Sequence, residues 1–335
     1  MRPKNVSLAN LSLNILIKGS VFIILFIIIA VLSSLSDSFF SLSNLTTVAL
    51  QTSLVAIVAI GMTFAIISGG IDLSVGSVAA LCGALAAGLA TRQGMGTFPA
   101  ILIALAAGAS LGALNGALIV FGQMPPFVAT LAMMAGARGL TLVYTQGRPI
   151  AGLDSSFTFL AGGNLLGIPV PVLVMLALAV CAHLILTQTA YGLHIYAVGG
   201  SEETARLASV PVQRIKMGVY IISGLCAASM GVLITSRLWS AQPNTGILLE
   251  LDAITSAILG GASLAGGAGN IGGTIAGAFI LGALSNGLNL LAVPSFTQQV
   301  VKGVIFIVAV LLDYLLKRRL QAGIKPPAIT LFHRG

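Results

Sequence analysis

Gly61-Met62-Thr63-Phe64-Ala65-Ile66-Ile67-Ser68-Gly69-Gly70-Ile71-Asp72-Leu73-Ser74-Val75-Gly76-Ser77 decides what kind of protein this is. An apolar run long enough to approach the middle of a bilayer breaks at the pair Gly69-Gly70. The chain then presents the carboxyl of Asp72 and the hydroxyls of Ser74 and Ser77, and a second apolar run follows. Polar backbone in lipid is tolerable only where protein walls it in or where it lines a watery cavity. A break of this kind is where a solute path or a moving contact would be built.

Composition places that break in a membrane protein. Of 335 residues, 57% are hydrophobic and 7% are charged, and the mean hydropathy is +1.06. Soluble domains carry about 25% charged residues, so this supply cannot cover a water-facing surface. Ten candidate spans can be drawn, at 19–36, 45–68, 72–91, 98–121, 127–145, 170–188, 215–237, 251–266, 270–291 and 297–316. Several approach or exceed the roughly 17–25 residues that cross hydrocarbon as a helix. The fold expected is all-α and integral to the membrane, one transmembrane domain over 1–335. It is a polytopic bundle of about ten transmembrane helices, broken at glycine-rich segments. The first span follows Arg2, Lys4 and Lys18 without an A-x-A-like cleavage site, and reads as an uncleaved anchor.

Charge sets the expected orientation. Eleven of the 16 basic residues fall at the amino end, in the tail, or in the loop with Arg206, Arg214 and Lys216. The opposite side receives only Arg92, Arg148 and Arg237. Residues 1–18, 189–214 and 317–335 are therefore expected in the cytoplasm, and 146–169 outside it. The net charge of +8 reads as a topology signal, not as a nucleic-acid surface, because the charges are not gathered on a soluble module. The 40 glycines, about 12% against a usual 7%, suit helices packed closely enough to move against one another. Cys82, Cys181 and Cys226 all fall within spans and show no metal spacing or disulfide framework.

Two stretches echo each other. Ala65-Ile-Ile-Ser-Gly-Gly-Ile-Asp-Leu and Ala257-Ile-Leu-Gly-Gly-Ala-Ser-Leu each place a glycine pair, Gly69-Gly70 or Gly260-Gly261, at the end of an apolar run. Broken helices in repeats often meet at a transporter's solute site, although glycine-rich spans also match by chance. Between them lies Ser201-Glu202-Glu203-Thr204-Ala205-Arg206-Leu207-Ala208-Ser209-Val210-Pro211. Ser201 suits an N-cap, Glu202 and Glu203 complement a helix start, and Pro211 stops the helix soon after. Ala205 and Ala208, with Leu207 near, would present a small-residue face. Such a short helix needs something packed on it. It either rests on the membrane surface or is a knob seated in a cytoplasmic partner.

No G-x-x-x-x-G-K-[ST] loop is present, and the run Gly260–Gly269 has no lysine to reach phosphates. If ATP drives this protein, another subunit hydrolyses it. Ionisable residues within spans are candidates for function. Asp72 caps span three, serves the path, or does both. Arg138 sits mid-span and needs an ion pair, a solute or water. Lys302 can snorkel to the interface, and Glu250 and Asp252 read as a solvated cap of span eight. His183 and His194 read as packed or interfacial, and Gln51, Gln298 and Gln299 as hydrogen-bonding groups near helix ends. A proton relay would need a second acid near Asp72, and the sequence supplies none close by.

The Gly61–Ser77 segment resembles the signature of permease subunits of ABC sugar importers, the ribose/xylose/galactose/autoinducer-2 group. The likeness extends through Tyr196–Leu207, Tyr220–Gly231 and Glu250–Gly273. It implies two copies of the chain, or one plus a paralogue, in the bacterial inner membrane. It also implies a cytoplasmic ABC ATPase subunit and a periplasmic or extracellular sugar-binding protein. No cofactor is implied in this chain, because ATP and magnesium are held by the ATPase. In the family the loop matching Ser201–Val210 contacts that ATPase. The family pattern usually runs Ala-Ala-Arg-Leu-Ser-Gly-Ile, and this chain departs from it with Ser209 at the glycine position. The resulting expectation is a permease for a simple sugar or similar polyhydroxylated solute. Ser201 to Leu207 would couple it to the ATPase, and Gly69, Gly70, Asp72, Ser74, Arg138, Gly260 and Gly261 would serve translocation or gating. The competing expectation is a proton-coupled secondary carrier.

Overall fold

The computed structural model describes residues 8–322, with side chains from 21 to 315. Arg2, Lys4, Lys325 and Arg334, on which part of the charge argument rests, lie outside the described residues. Among the described residues thirteen α-helices carry the fold. The first five are α1 (Leu8–Leu35), α2 (Leu42–Ile67), α3 (Val75–Thr91), α4 (Thr97–Val120) and α5 (Pro126–Thr145). Strand β1 (Ile150–Ala151), α6 (Ser155–Gly162), and strands β2 (Asn164–Leu165) and β3 (Ile168–Pro169) follow. Then come α7 (Val170–Gln188), α8 (Ala190–Gly200), α9 (Glu202–Leu207), α10 (Val212–Arg237) and β4 (Ser240–Ala241). The chain closes with α11 (Leu249–Leu259), α12 (Ile271–Leu290) and α13 (Ser295–Ala322).

Local chemistry starts and stops these helices. Ser41, Asp154, Thr189, Ser201 and Asn270 each accept an N–H of the following first turn, the bond that an N-cap supplies. Helix α2 ends when Ser68 N–H reaches back to Phe64 O, Gly69 to Ile66 O and Gly70 to Ala65 O, with Gly69 at φ 83°. Helix α11 ends the same way through Gly260, Gly261 and Ala262, with Gly261 at φ 90°. Both are Schellman-type stops that require a left-handed residue. The echo in the sequence is therefore an echo in backbone geometry.

Seven helices are long and apolar enough to cross a membrane: α2, α4, α5, α7, α10, α12 and α13 up to Leu315. Helix α2 is the centre, its apolar window 83% buried against α10, α12, α11 and α7. A helix apolar on every side belongs inside. Helices α4, α5, α7 and α13 form the outer layer and bury less than a third of theirs. Close approach rests on missing side chains. A Cβ on Gly108 would meet the Gly224 carbonyl, and one on Gly224 the Gly108 carbonyl, so α4 and α10 touch backbone to backbone.

Several expected boundaries are corrected. Span three was drawn from Asp72, but α3 starts at Val75 and has 17 residues. Span eight was drawn to 266, but α11 stops at Leu259 after 11 residues because Gly261 cannot continue a right-handed helix. At 1.5 Å per residue these are about 26 and 16 Å long, each short of the roughly 30 Å of hydrocarbon. The 146–169 connection contains α6 and a small β2–β3 hairpin, and the 189–214 loop is largely the helices α8 and α9. Helix α13 continues to Ala322, into the expected tail.

The ends of α3 and α11 locate them. Helix α3 runs toward the end of the molecule where Arg92 Nη1 donates to Tyr144 O (3.1 Å) and β1 pairs with β4. Helix α11 runs toward the opposite end, where Gly267 N–H donates to Ile67 O (2.8 Å). Their first residues meet. A Cβ on Gly76 would strike the Gly246 carbonyl and one on Gly246 the Gly76 carbonyl.

Candidate functional site

The break after α2 leads into a buried polar knot. Ser74 N–H and Ser74 Oγ both donate to Asp72 Oδ1, at 3.0 and 2.6 Å. From α10, Ser223 Oγ donates to Asp72 Oδ2 at 2.7 Å. Asn115 Nδ2 of α4 donates to Ser74 Oγ at 2.9 Å. All four side chains are buried. Asp72 therefore does not cap α3 in the expected way. Its bond goes to Ser74, the residue just before the helix, and its second oxygen ties the break to α10. Three donors thus converge on one carboxyl group. Among the described residues no other carboxylate and no histidine is bonded to it. Tyr220 Oη, which stands over Gly70, and Asn115 Oδ1 complete the knot without partners of their own among the described residues.

A second irregular segment, Gln242 to Leu248, opens α11. Thr245 N–H closes a turn on Gln242 O (3.1 Å), with Pro243 in the position that presets such a turn. Gly246 (φ 75°) and Leu248 (φ 64°) are left-handed. Arg138, on α5, fastens the segment: its Nη1 donates to Pro243 O at 2.7 Å and to Thr245 O at 2.8 Å. Glu250, in the first turn of α11, reaches the Gly76 backbone. Of the partners expected for Arg138, an ion pair, a solute or water, the structure shows a clamp on two carbonyls, with the Glu250 carboxyl near enough to act on its charge.

The third region surrounds α9. Ser201 Oγ accepts from Thr204 N–H at 3.2 Å, and Glu202 pairs with Arg206 at 3.1 Å and with Lys216. Glu203, Thr204, Arg206, Leu207 and Ala208 face outward, Leu207 with 82% of its surface open. Ala205 does not join them. It is buried in the protein's own core, so the expected Ala205/Ala208 face is corrected: Ala205 seats the helix and Leu207 is its outward apolar contact. The helix stops before Pro211, because Ser209 is left-handed at φ 61° and Val210 N–H returns to Ala205 O (3.0 Å). Beside α9, the α4–α5 and α9–α10 turns wall a cleft of about 1050 Å³ that includes Arg206, Arg214 and Lys216.

These regions are linked. Ser201 N–H donates to Ala197 O, which runs α9 into α8. Gly199 packs against the Ile67 carbonyl, and Tyr196 Oη donates to Gly269 O at 2.8 Å. Gly267 bonds Ile67 as well. The end of α2, the Gly267–Gly269 loop that follows the second stop, and the stem of α9 therefore meet. Of the expected residues, Asp72 and Ser74 share the polar knot. Gly69 lies against Gly199, Gly260 packs on Gly273, Gly261 is open, and Arg138 stands apart on its own clamp. They form separate stations, not one pocket.

Other expectations are also revised. Lys302 does not snorkel; it pairs with Asp252 at 2.8 Å, so Asp252 is not a solvated cap. Gln298 donates to Asn289 Oδ1 and Val293 O, which makes it a local brace. Asn115, Ser223 and the Gln242–Leu248 segment were not singled out from the sequence. Gln242-Pro243-Asn244-Thr245-Gly246 does carry a turn signal, and that signal could have found the segment.

The chain matches the family described as "Branched-chain amino acid transport system / permease component" over residues 44–310. It is 46% identical to the ribose import permease protein RbsC of Bacillus subtilis (strain 168), covering 87% of this chain and 91% of that one. It is 39% identical to the D-allose transport system permease protein AlsC of Escherichia coli (strain K12), covering 90% and 93%. It is 33% identical to the xylose transport system permease protein XylH of the same strain, covering 89% and 93%. No solved structure matches the chain.

Proposed function

Because this chain belongs to the branched-chain amino acid transport system / permease component family, we propose that its separate stations form one coupled gate for a small polyhydroxylated solute. The protein is the multi-pass permease subunit of a sugar ABC importer. It works with a binding protein and a separate ATPase subunit, and is itself a transport component. Ribose, D-allose and xylose, named for the relatives, bound the solute class: neutral, small and rich in hydroxyls.

In this reading the bundle crosses the membrane ten times. Eight crossings are single helices: the seven long apolar ones and α1 (Leu8–Leu35). The third is the Ser68–Ser74 segment followed by α3, and the eighth is the Gln242–Leu248 segment followed by α11. Two half-helices of about 26 and 16 Å, which come together near Gly76 and Gly246, run to opposite ends of the molecule, so each needs its irregular segment to complete a crossing. Both termini and α9 then face the cytoplasm, as the basic residues suggest, and the β1–β4 end faces outward. A second copy of this chain, or a paralogue, completes the path.

Helix α9 is the contact for the ATPase. The observation that carries this is the direct packing of its stem at Gly199 on Ile67, where the end of α2 meets the loop that follows the second stop. A push on Leu207 and Arg206 is transmitted through α8 to both breaks. A switch of this kind needs different contacts in its two states, and the α9 cleft is where ATP-driven motion of the partner would supply them. Leu207→Glu tests this assignment. Expected are a folded permease that still binds the ATPase weakly, and ATP hydrolysis that no longer drives uptake. Normal coupled uptake by that variant would remove α9 from the mechanism.

A further inference from the structure

The segment Gln242–Leu248, beside Gly76 at the start of α3, leaves several of its backbone groups without a partner among the described residues. Its carbonyls at Pro243 and Thr245 are taken by Arg138. The N–H groups of Asn244, Gly246, Ile247 and Leu248 have no partner among the described residues, whereas Thr245 N–H closes the turn. Asn244, Ile247 and Leu248 are exposed on the surface of the single chain. The contact of Gly246 with Gly76 fixes the depth: about 26 Å of α3 lies to one side and about 16 Å of α11 to the other.

Four free N–H groups at that depth cannot face lipid, where each unpaired amide costs several kcal/mol. Four free N–H donors there outnumber the two carbonyls, of Asn244 and Ile247, that no donor takes among the described residues, and such an excess of donors suits an oxygen-rich occupant. A sugar presents hydroxyl and ring oxygens as acceptors and C–H faces that match Ile247 and Leu248. Backbone amides also read no particular hydroxyl pattern, as a path shared by several sugars requires.

We propose that Gln242–Leu248 lines the solute path, offering the N–H groups of Asn244, Gly246, Ile247 and Leu248 to the oxygens of a passing sugar, with Arg138 as the positioning residue that turns them toward it. This deepens, and rests on, the sugar-permease reading. Arg138 touches no solute; by holding the carbonyls back it leaves the donors forward.

The test uses the transporter assembled with its ATPase and binding protein in vesicles. Cys181 is exposed, whereas Cys82 and Cys226 are buried, so Cys181→Ser gives a clean background. Asn244→Cys and Ile247→Cys are treated with an anionic methanethiosulfonate, and Leu184→Cys, on the open face of α7, serves as the lipid-facing control. Fast labelling of the first two but not the control, with arrest of D-ribose uptake, is expected. Labelling no faster than the control overturns the proposal, as does a copy-to-copy disulfide formed in place of labelling. Replacing Ile247 by its α-hydroxy acid converts its N–H to an ester oxygen, and the same replacement at Leu249, which weakens the α11 start without touching the free donors, serves as the control. Maximal uptake of D-ribose should fall about fivefold, the worth of one hydrogen bond; an unchanged rate overturns the donor role. For Arg138→Gln, labelling of Ile247→Cys should change while ATPase binding is kept; unchanged labelling removes the positioning role. If the unmodified complex shows no ATP-driven sugar uptake, the permease reading fails, and the labelling pattern still reports on the segment by itself.

Discussion

Single residues show where this chain departs from its own best geometry. Ser209 holds a left-handed conformation at φ 61°, which costs a side-chain-bearing residue about 1–2 kcal/mol. A glycine at this position would adopt the same conformation without that cost. Ser209→Gly should therefore slow amide hydrogen exchange in α9 and Ser209→Val should speed it; equal exchange in all three would contradict the strain. At the other end, Asp154 caps α6. The Phe157 N–H first, and then the Ser156 hydroxyl, hold its carboxyl below the ordinary carboxylate range. A depressed folded pKa contributes stability that is complete above the ordinary carboxylate pKa of about 4 and is lost as pH falls through the lower folded value. Exchange protection of α6 should fall across that window and stay flat in Asp154→Asn; a flat profile in the native chain would refute the cap. The sequence made Asp72 and Ser74 legible as a break. It could not reveal Ser223 and Asn115, which lie on distant helices and read as ordinary buried polar residues.

At the scale of elements, periodicity and capping worked where the cause was local. Ser201 with Glu202 and Glu203 announced α9, and the Gly69-Gly70 pair announced the end of α2. Tertiary contacts were not legible. Which face of α9 turns inward depends on α10, so Ala205 was assigned to the wrong side. The apolar Gly260–Gly266 run extends hydropathy past α11 although φ 90° at Gly261 ends the helix. Lys302 finds Asp252 fifty residues away, where no spacing rule reaches. The junction of α8 with the end of α2 gives a sharp test, because a Cβ on Gly199 would collide with the Ile67 carbonyl. Gly199→Ala should push α8 off α2 and lower sugar uptake more than ATPase binding. A loss of binding equal to the loss of uptake would mean that the contact only holds the fold.

At the scale of the whole molecule, composition alone established a membrane bundle, because so few charged residues cannot wet a surface. Seven of the expected spans were legible because each is a helix long and apolar enough to cross. That the spans drawn at 72–91 and 251–266 are shorter helices preceded by irregular backbone was not, since hydropathy does not distinguish backbone states. Orientation rests on the distribution of Lys and Arg, and a membrane-impermeant label on a cysteine placed at Glu203 should react only from the cytoplasmic side. In the proposed reading the stations act as a path and a lever, worked by a separate ATPase subunit. The direct measurement is sugar accumulation in liposomes carrying this chain, with and without the ATPase subunit, binding protein and ATP. Concentration of D-ribose above its outside level is expected only when all are present; uphill accumulation by the permease alone, without nucleotide, would contradict the account.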